Sequence, residues 1–221
     1  TEDGHPAESS GILPALDKWT NPDLAASSIG THQSATALQL WAAYNVIANE
    51  GRYVSPRLVD SVIAPDGTRT RPPTKEPRQV ISAEAASAVG AMLREVVTEG
   101  TGRDLNLPGY SIAAKTGTSR MVSPTKVNTL DAYMWPDGRY HYVAAFTGYL
   151  PADRPEVSIT VLIEDSTPGL TGATAAGPVF SDLAELSIRE LGIAPSDAVG
   201  LPDALGAVRA APAASPAEVD R

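Results

Sequence analysis

The 221-residue chain contains no cysteine, which excludes disulfide bonds and thiolate-ligated metal sites. Its three histidines lie far apart and show neither an HxxxH nor an HxH spacing, so we expect no metal site. The GxxxxGKS, GxxxxGKT and GxGxxG patterns are also absent, which leaves a phosphate-binding loop and a dinucleotide site without support. We therefore expect the chain to carry neither a metal ion nor a cofactor.

Positive charge is sparse for a chain of this size. Seventeen Lys and Arg stand against 26 Asp and Glu, for a formal net charge of −9, and the basic residues are scattered rather than striped. This pattern predicts no positively charged surface patch that could bind a polyanion, and we expect no nucleic-acid partner. No apolar run approaches the roughly 18 residues of a membrane-spanning helix. The 43% hydrophobic content is enough for one sizeable core.

Apolar periodicity predicts three helices. The first covers residues 35–48, which are apolar on nearly all sides and contain a capping-box pattern from Thr36 to Gln39. The second starts after a Ser82 cap and repeats apolar residues at helical spacing. The third covers residues 172–191, and its large apolar residues form one stripe, which we expect to face the core: Val179, Leu183 and Leu186.

Three strands are predicted between the second and third helices. The first lies within SIAAKTGTSRM at residues 111–121, the second covers residues 142–150, and the third covers residues 157–163, where large apolar side chains alternate with other residues. Strands joined by short connections are antiparallel. The sequence therefore predicts an α+β fold in which an antiparallel sheet is flanked by helices.

Composition divides the chain into three parts. Residues 1–28 are rich in Pro, Ser, Asp and Glu and are predicted to be irregular. Residues 29–192 contain the predicted helices and strands. Residues 193–221 are rich in Ala, Pro and Asp without a sustained period, and we expect a disordered tail there.

A lysine and two threonines interrupt the apolar start of the first strand. On a strand, Lys115 and Gly117 share one face while Thr116 and Thr118 share the other, so the lysine and threonine side chains can cooperate only at a sheet edge. There Gly117 would admit a ligand close to the backbone, and the ammonium and hydroxyl groups would bind a carboxylate. This interpretation makes the strand an anion-binding edge. The alternative is an ordinary edge-strand lysine that discourages aggregation.

The K-T-G triplet at Lys115–Gly117 is accompanied by four other segments in a fixed order: Gly4–Gly11, Ile29–Gly51, Val97–Gly102 and Phe146–Pro151. K-T-G is one signature of penicillin-binding proteins and serine β-lactamases. The four segments are similar to motifs of one group of these proteins, and the chain resembles the class B penicillin-binding proteins, the peptidoglycan transpeptidases. The resemblance covers roughly residues 4–192. It implies the penicillin-binding transpeptidase fold, which serine β-lactamases share.

The resemblance implies acyl transfer from the D-Ala-D-Ala end of a peptidoglycan stem peptide to a neighbouring amine, through a serine. Lys115 and Thr118 would bind the terminal carboxylate of the substrate, and Thr116 would support that edge. The backbone N–H of Thr118 would supply half of the oxyanion hole. β-Lactams would bind as mimics of the same dipeptide.

Two further signatures of the family, S-x-x-K and S-x-N, are missing from the places where the family has them. The one literal S-x-x-K match is Ser123–Lys126, which follows Lys115 and contains a proline, whereas the motif needs a helical turn to stack serine over lysine. We expect the chain to be the C-terminal part of a transpeptidase domain, with residues 1–28 and 29–192 both inside that domain. We expect no catalytic nucleophile in this chain, an upstream part that supplies it, and no activity of the chain alone.

Two other functions stay open. A non-catalytic domain could keep the transpeptidase scaffold and serve in the cell-wall or division machinery, and upstream sequence without S-x-x-K and S-x-N would favour it. A D-alanyl carboxypeptidase or β-lactamase could also carry the K-T-G strand, although the flanking segments are similar to the class B pattern. The resemblance implies a location outside the cytoplasmic membrane, with an upstream membrane anchor. Apolar faces left by missing elements could also promote self-association or binding of the upstream part.

A few single residues have two interpretations each. His32 stands where the family more usually has glycine. Either it alters a loop of the cleft, or it is a harmless surface substitution. His5 and His141 are predicted to be surface residues. Tyr133 and Trp135 either line the rim of a cleft or form an ordinary loop cluster.

Overall fold

The computed structural model describes residues 8–31, 33–105, 107–125, 131–166 and 169–196. Four α-helices and seven β-strands are found among them, and their bounds in chain order are α1 (Asn21–Ser28), α2 (Ala37–Ala48), β1 (Arg52–Tyr53), β2 (Val62–Ile63), β3 (Arg69–Thr70), β4 (Arg78–Gln79), α3 (Ala83–Thr98), β5 (Ala113–Arg120), β6 (Tyr142–Leu150), β7 (Val157–Ser166) and α4 (Gly177–Leu191). Short 3-10 turns lie at Leu16–Lys18 and Arg103–Leu105, and a π-helical turn at Gly172–Ala176 leads into α4. His5 and His32 lie outside the described residues, as does Lys126.

The three predicted strands form one antiparallel sheet in the order β5-β6-β7. Lys115 lies opposite Thr147 and Gly117 lies opposite Ala145. The two-stranded pairs β1-β4 and β2-β3 lie in the excursion between α2 and α3. Helices before and after the main sheet confirm the predicted α+β class.

The sheet is sandwiched between helices. On one face, Ala114 and Phe146 pack against Phe180 and Ala184 of α4. The rings of Phe146 and Phe180 are 4.7 Å apart between centroids, and both side chains are fully buried. Complete burial of one such ring stabilises a fold by about 1.5–3 kcal/mol. On the other face, Ala113 and Tyr149 pack against Leu93 of α3, with α2 alongside: Tyr44, Ile47 and Ala48.

The buried stripe of α4 differs from the predicted one. Val179, Leu183 and Leu186 are 39–43% exposed, whereas Phe180 and Ala184 are fully buried. The stripe one residue further along the helix faces the sheet because small Ala184 allows a close approach and Phe180 fills the space between the layers. The helix was predicted correctly, and the rotation about its axis was wrong.

Both terminal segments are more ordered than composition predicts. Residues 1–28 were predicted to be irregular, but residues 21–28 form α1, because Thr20 and Asp23 make a reciprocal capping box and Pro22 fits the first turn. The predicted tail also starts too early. Ile193 is 3% exposed, and the Ser111 N–H donates to the Ser196 hydroxyl at 2.9 Å. Residues 197–221 lie outside the described part of the chain.

Local sequence signals fix the starts of α2 and α3. The Thr36 hydroxyl accepts from the Gln39 N–H at 3.1 Å, and the Gln39 side chain accepts from the Thr36 N–H at 2.9 Å. The Ser82 hydroxyl caps α3 by accepting from the Ala85 N–H. Both predicted caps are confirmed. They anchor the two helices that cover the Lys115 face of the sheet at its Ala113 end.

Candidate substrate-binding strand

The site predicted from the sequence lies on β5, at one edge of the main sheet. Within the described part of the chain, β5 pairs with β6 only, so its other side is open. The first two residues of the strand, Ala113 and Ala114, are fully buried, and the strand becomes accessible from Lys115 onward. The apolar start thus fixes the strand in the core and presents the polar part at the edge.

Lys115 extends from this edge into solvent. Its ammonium donates a hydrogen bond to the carbonyl of Thr116 at 2.9 Å. No carboxylate of the described residues lies within 4.0 Å of it, although eight other ion pairs occur in that part of the chain. A cation without a carboxylate partner at an open strand edge can bind an incoming anion without first breaking an ion pair.

Each threonine of the strand is fixed by a residue from another segment. The Thr116 and Thr101 hydroxyls are 2.9 Å apart, which ties the strand to the loop after α3. The Thr118 hydroxyl accepts from the Gly172 N–H at 3.1 Å, which ties the strand to the π-helical turn before α4. No sequence pattern indicated Thr101 or Gly172 as supports of the strand. Thr101 does fall in the Val97–Gly102 segment, which carried part of the resemblance.

The backbone of Gly172 packs directly against the backbones of β5 and β6. A Cβ built on Gly172 would lie 2.5 Å from the Gly117 carbonyl oxygen and 2.9 Å from the Gly117 nitrogen, and still closer to the carbonyl oxygen of Ala145. Real Cβ contacts are essentially never that short. Gly172 is therefore required for the turn before α4 to lie directly against β5. The turn and Thr101 together fix the position of the K-T-G triplet.

Ser123, the serine of the literal S-x-x-K match, is fully buried. Its N–H donates to the Ala132 carbonyl at 2.7 Å, and its hydroxyl lies 3.2 Å from that of Thr125. Residues 124 and 125 form a turn, and none of residues 123–125 is helical. A substrate cannot reach a hydroxyl group that is buried in this way.

A second polar cluster lies beyond the far end of β5. The His141 ring nitrogens contact two carboxylates: Nδ1 contacts Asp165, and Nε2 lies 3.0 Å from Asp137. The indole of Trp135 stacks on the ring at 4.0 Å between centroids. The hydrogen bond that His141 donates to Asp165 is the main cause that raises the pKa of His141 above its usual value, and the one to Asp137 adds to it. The N–H of Arg139 is the main cause that lowers the pKa of Asp137, followed by His141. From the sequence, His141 was predicted only to be a surface residue.

No group of three or more His, Cys, Asp or Glu side chains in the described ranges is arranged to hold a metal ion. None of the described helices is both long enough and apolar enough to cross a membrane.

Residues 1–185 match the family model of the penicillin binding protein transpeptidase domain. Among curated relatives, the penicillin-binding protein PbpB of Mycobacterium tuberculosis is 35% identical over 190 residues, which cover 82% of this chain and 27% of that protein. Stage V sporulation protein D of Bacillus subtilis is 30% identical over 196 residues, with 85% of this chain and 28% of that protein covered. The chain thus spans less than a third of the length of these two relatives.

The fold is shared with solved structures. The crystal structure of penicillin binding protein 3 from M. tuberculosis in complex with ampicillin superposes with a TM-score of 0.72 at 33% identity, over 89% of this chain and 44% of that one. The sheet and helices described above are therefore part of a penicillin-binding transpeptidase fold. The chain belongs to the penicillin-binding protein transpeptidase family, and within it to the class B proteins.

Proposed function

We propose that this chain supplies the carboxylate-binding edge of a peptidoglycan D,D-transpeptidase that cross-links stem peptides by acyl transfer. The observation that carries the proposal is the Lys115 ammonium, exposed on an open strand edge between two segments that hold Thr116 and Thr118 in place. In this role Lys115 and Thr118 bind the terminal carboxylate of the D-Ala-D-Ala donor. Thr116 holds the strand against the loop after α3.

The proposed reaction has two steps. A serine oxygen attacks the carbonyl carbon of the penultimate D-Ala, an ester forms, and the terminal D-Ala leaves with a proton on its amine. An acceptor amine then attacks the ester, an amide forms, and the serine regains its proton. Charge-assisted hydrogen bonds to the donor carboxylate hold the scissile bond in place during the first step. A β-lactam would undergo the first step alone, with its ring amide as the bond that breaks.

The serine of this reaction is proposed to come from an upstream part of the same domain. The chain lacks S-x-N, and the serine of its one S-x-x-K match is buried in a turn. Large apolar side chains in the N-terminal segment, including Ile12, Leu13 and Ile29, are 68–78% exposed. Upstream elements would cover them, and without those elements the same residues would promote self-association, which sedimentation at several concentrations would detect. The parent protein would act outside the cytoplasmic membrane, where its substrate is.

The test is the intact mass of the chain after incubation with benzylpenicillin, alone and together with the polypeptide encoded immediately before Thr1. The proposal predicts no adduct on the chain alone, and an adduct on the upstream polypeptide only when the chain is present. An adduct on the chain alone would overturn the assignment of the nucleophile. No adduct in either experiment would contradict the enzymatic role and favour the scaffold, a role consistent with the absent S-x-N.

A further inference from the structure

The His141 cluster has a geometry that requires a proton. A neutral imidazole carries one N–H donor and one acceptor nitrogen, whereas an imidazolium carries two donors. Both ring nitrogens of His141 face carboxylate oxygens, which are acceptors when ionised. A neutral ring would set one lone pair against a carboxylate. The observed arrangement is therefore that of an imidazolium between Asp137 and Asp165.

The sheet is deformed where it contributes one of these carboxylates. The register of β6 and β7 shifts between Tyr142, which pairs with Ser166, and Val143, which pairs with Glu164. Asp165 is the extra residue of this bulge, and its φ is +55°, in the left-handed region that few residues other than glycine adopt. Bulges re-aim side chains, and residues held in sparsely populated backbone regions mark constrained positions. Here the bulge directs a carboxylate to Nδ1 of His141.

The cluster is connected to the end of β5 by main-chain and ring contacts. The Met121 N–H donates to the His141 carbonyl at 2.8 Å, and the Trp135 indole N–H donates to the Met121 carbonyl at 3.3 Å. Because Trp135 also stacks on the imidazole, His141 and Trp135 together hold both polar groups of the Met121 backbone. Met121 directly follows β5, three residues after Thr118.

We propose that His141 is a positioning residue: as an imidazolium bridging Asp137 and Asp165, it holds the β5–β6 connection against β7 and so fixes the end of the strand that carries Lys115 and Thr118. The effect of His141 on acylation rests on the proposed function, whereas its effect on the backbone position of β5 does not. The two carboxylates approach different ring nitrogens rather than a common point, which distinguishes this cluster from a metal site.

The charges around His141 determine the pH dependence. Asp137 faces the ring from the turn before β6, Asp165 faces it from the end of β7, and Arg139 acts on Asp137. On the β5 side, the Arg120 guanidinium lies over the Tyr140 ring, 4.2 Å from its centroid. The pKa of His141 is raised, so the bridge is complete below the pKa of an unfolded histidine and is lost as pH rises through the raised value.

The experiment is an NMR titration of the 221-residue chain labelled with nitrogen-15, which follows the imidazole nitrogens and the backbone amides together. We expect both nitrogens of His141 to stay protonated to a higher pH than those of an unfolded histidine, and the amides of Thr118 and Met121 to shift on its deprotonation with the same midpoint. His141→Gln should abolish that amide transition. His5→Gln, which removes a different imidazole, should leave it unchanged.

Asp165→Asn serves as the second variant and keeps the size of the side chain. It should move the His141 midpoint to lower pH and carry the amide transition with it. A midpoint of His141 near the ordinary value of about 6.5 in the unmodified chain would overturn the proposal. The same conclusion would follow if the amides of residues 118–121 did not respond to His141. Failure of the proposed function would appear instead as a missing penicillin adduct, with the titration unaffected.

Discussion

Replacing Gly172 with alanine tests whether close backbone packing positions the K-T-G triplet. The added Cβ would lie 2.5 Å from the Gly117 carbonyl oxygen, whereas ordinary carbon–oxygen contacts begin at about 3.3 Å, so the turn and β5 must separate by at least about 0.8 Å. All three of the nearest atoms belong to the backbone of β5 or β6 and cannot rotate away. Overpacking of this kind costs about 1–3 kcal/mol, and we expect the upper end of that range.

The assay is thermal unfolding of the chain followed by circular dichroism. A loss of about 3 kcal/mol in the free energy of unfolding corresponds to a fall of about 6–12 °C in Tm for a chain of this size. Ala173→Ser is the matched control, because it adds one heavy atom to a half-buried position of the same turn and should change the free energy of unfolding by about 0.5 kcal/mol or less. If Tm of Gly172→Ala lay within about 2 °C of the parent value, the close contact with β5 would be refuted.

Three further predictions concern the core, a helix cap and a buried phenol. Phe180→Ala should lower the free energy of unfolding by about 3–5 kcal/mol in urea titrations, because it empties the space beside Phe146, while Val179→Ala should cost far less. Thr36→Ala should cost about 1 kcal/mol in the same titrations, since it removes the cap of α2, and an unchanged midpoint would contradict the capping box. Burial raises the pKa of Tyr149 to about 12 and also raises the pKa of Tyr44, so ultraviolet absorbance should show Tyr149 among the tyrosines that ionise late. The stability that the neutral phenol of Tyr149 contributes is complete below pH 10 and is lost as pH rises through about 12. Ionisation of Tyr149 at pH 10 with the fold intact would contradict this prediction.

The parts of the fold that the sequence predicted are those with short-range signals. The capping box of Thr36 and Gln39 lies within four residues, and the alternation of Lys115 and Thr116 lies within one strand, so both could be identified without knowledge of the tertiary fold. The rotation of α4 about its axis could not be predicted from such short-range signals. Val179 and Leu183 are larger than Ala184, yet Ala184 faces the sheet, because shape at a close contact outweighs side-chain hydrophobicity.

The contacts that support the site depend on distant pairs. Gly172 meets Thr118 from 54 residues away, and Asp165 meets His141 from 24 residues away. No sequence pattern around Gly172 or Asp165 identifies its distant partner. The bulge that orients Asp165 has no sequence signature either. The strand that carries the candidate site was therefore predictable from the sequence, and the distant contacts that hold it in place were not.

We propose that Lys115 recognises the carboxylate of the acyl donor. The most direct measurement is the rate of acylation of the chain combined with its upstream polypeptide, by benzylpenicillin and by its methyl ester, for the parent protein and for Lys115→Met. A charge-assisted hydrogen bond contributes about 1.5–3 kcal/mol, which corresponds to a rate difference of about 10- to 160-fold.

Arg120→Met is the matched control, because it removes a cation from the same strand where that cation lies over Tyr140. We expect the parent protein and the control to prefer the free acid by about 10- to 160-fold, and Lys115→Met to react with acid and ester at similar rates. An undiminished preference for the acid in Lys115→Met would show that Lys115 does not recognise the donor carboxylate.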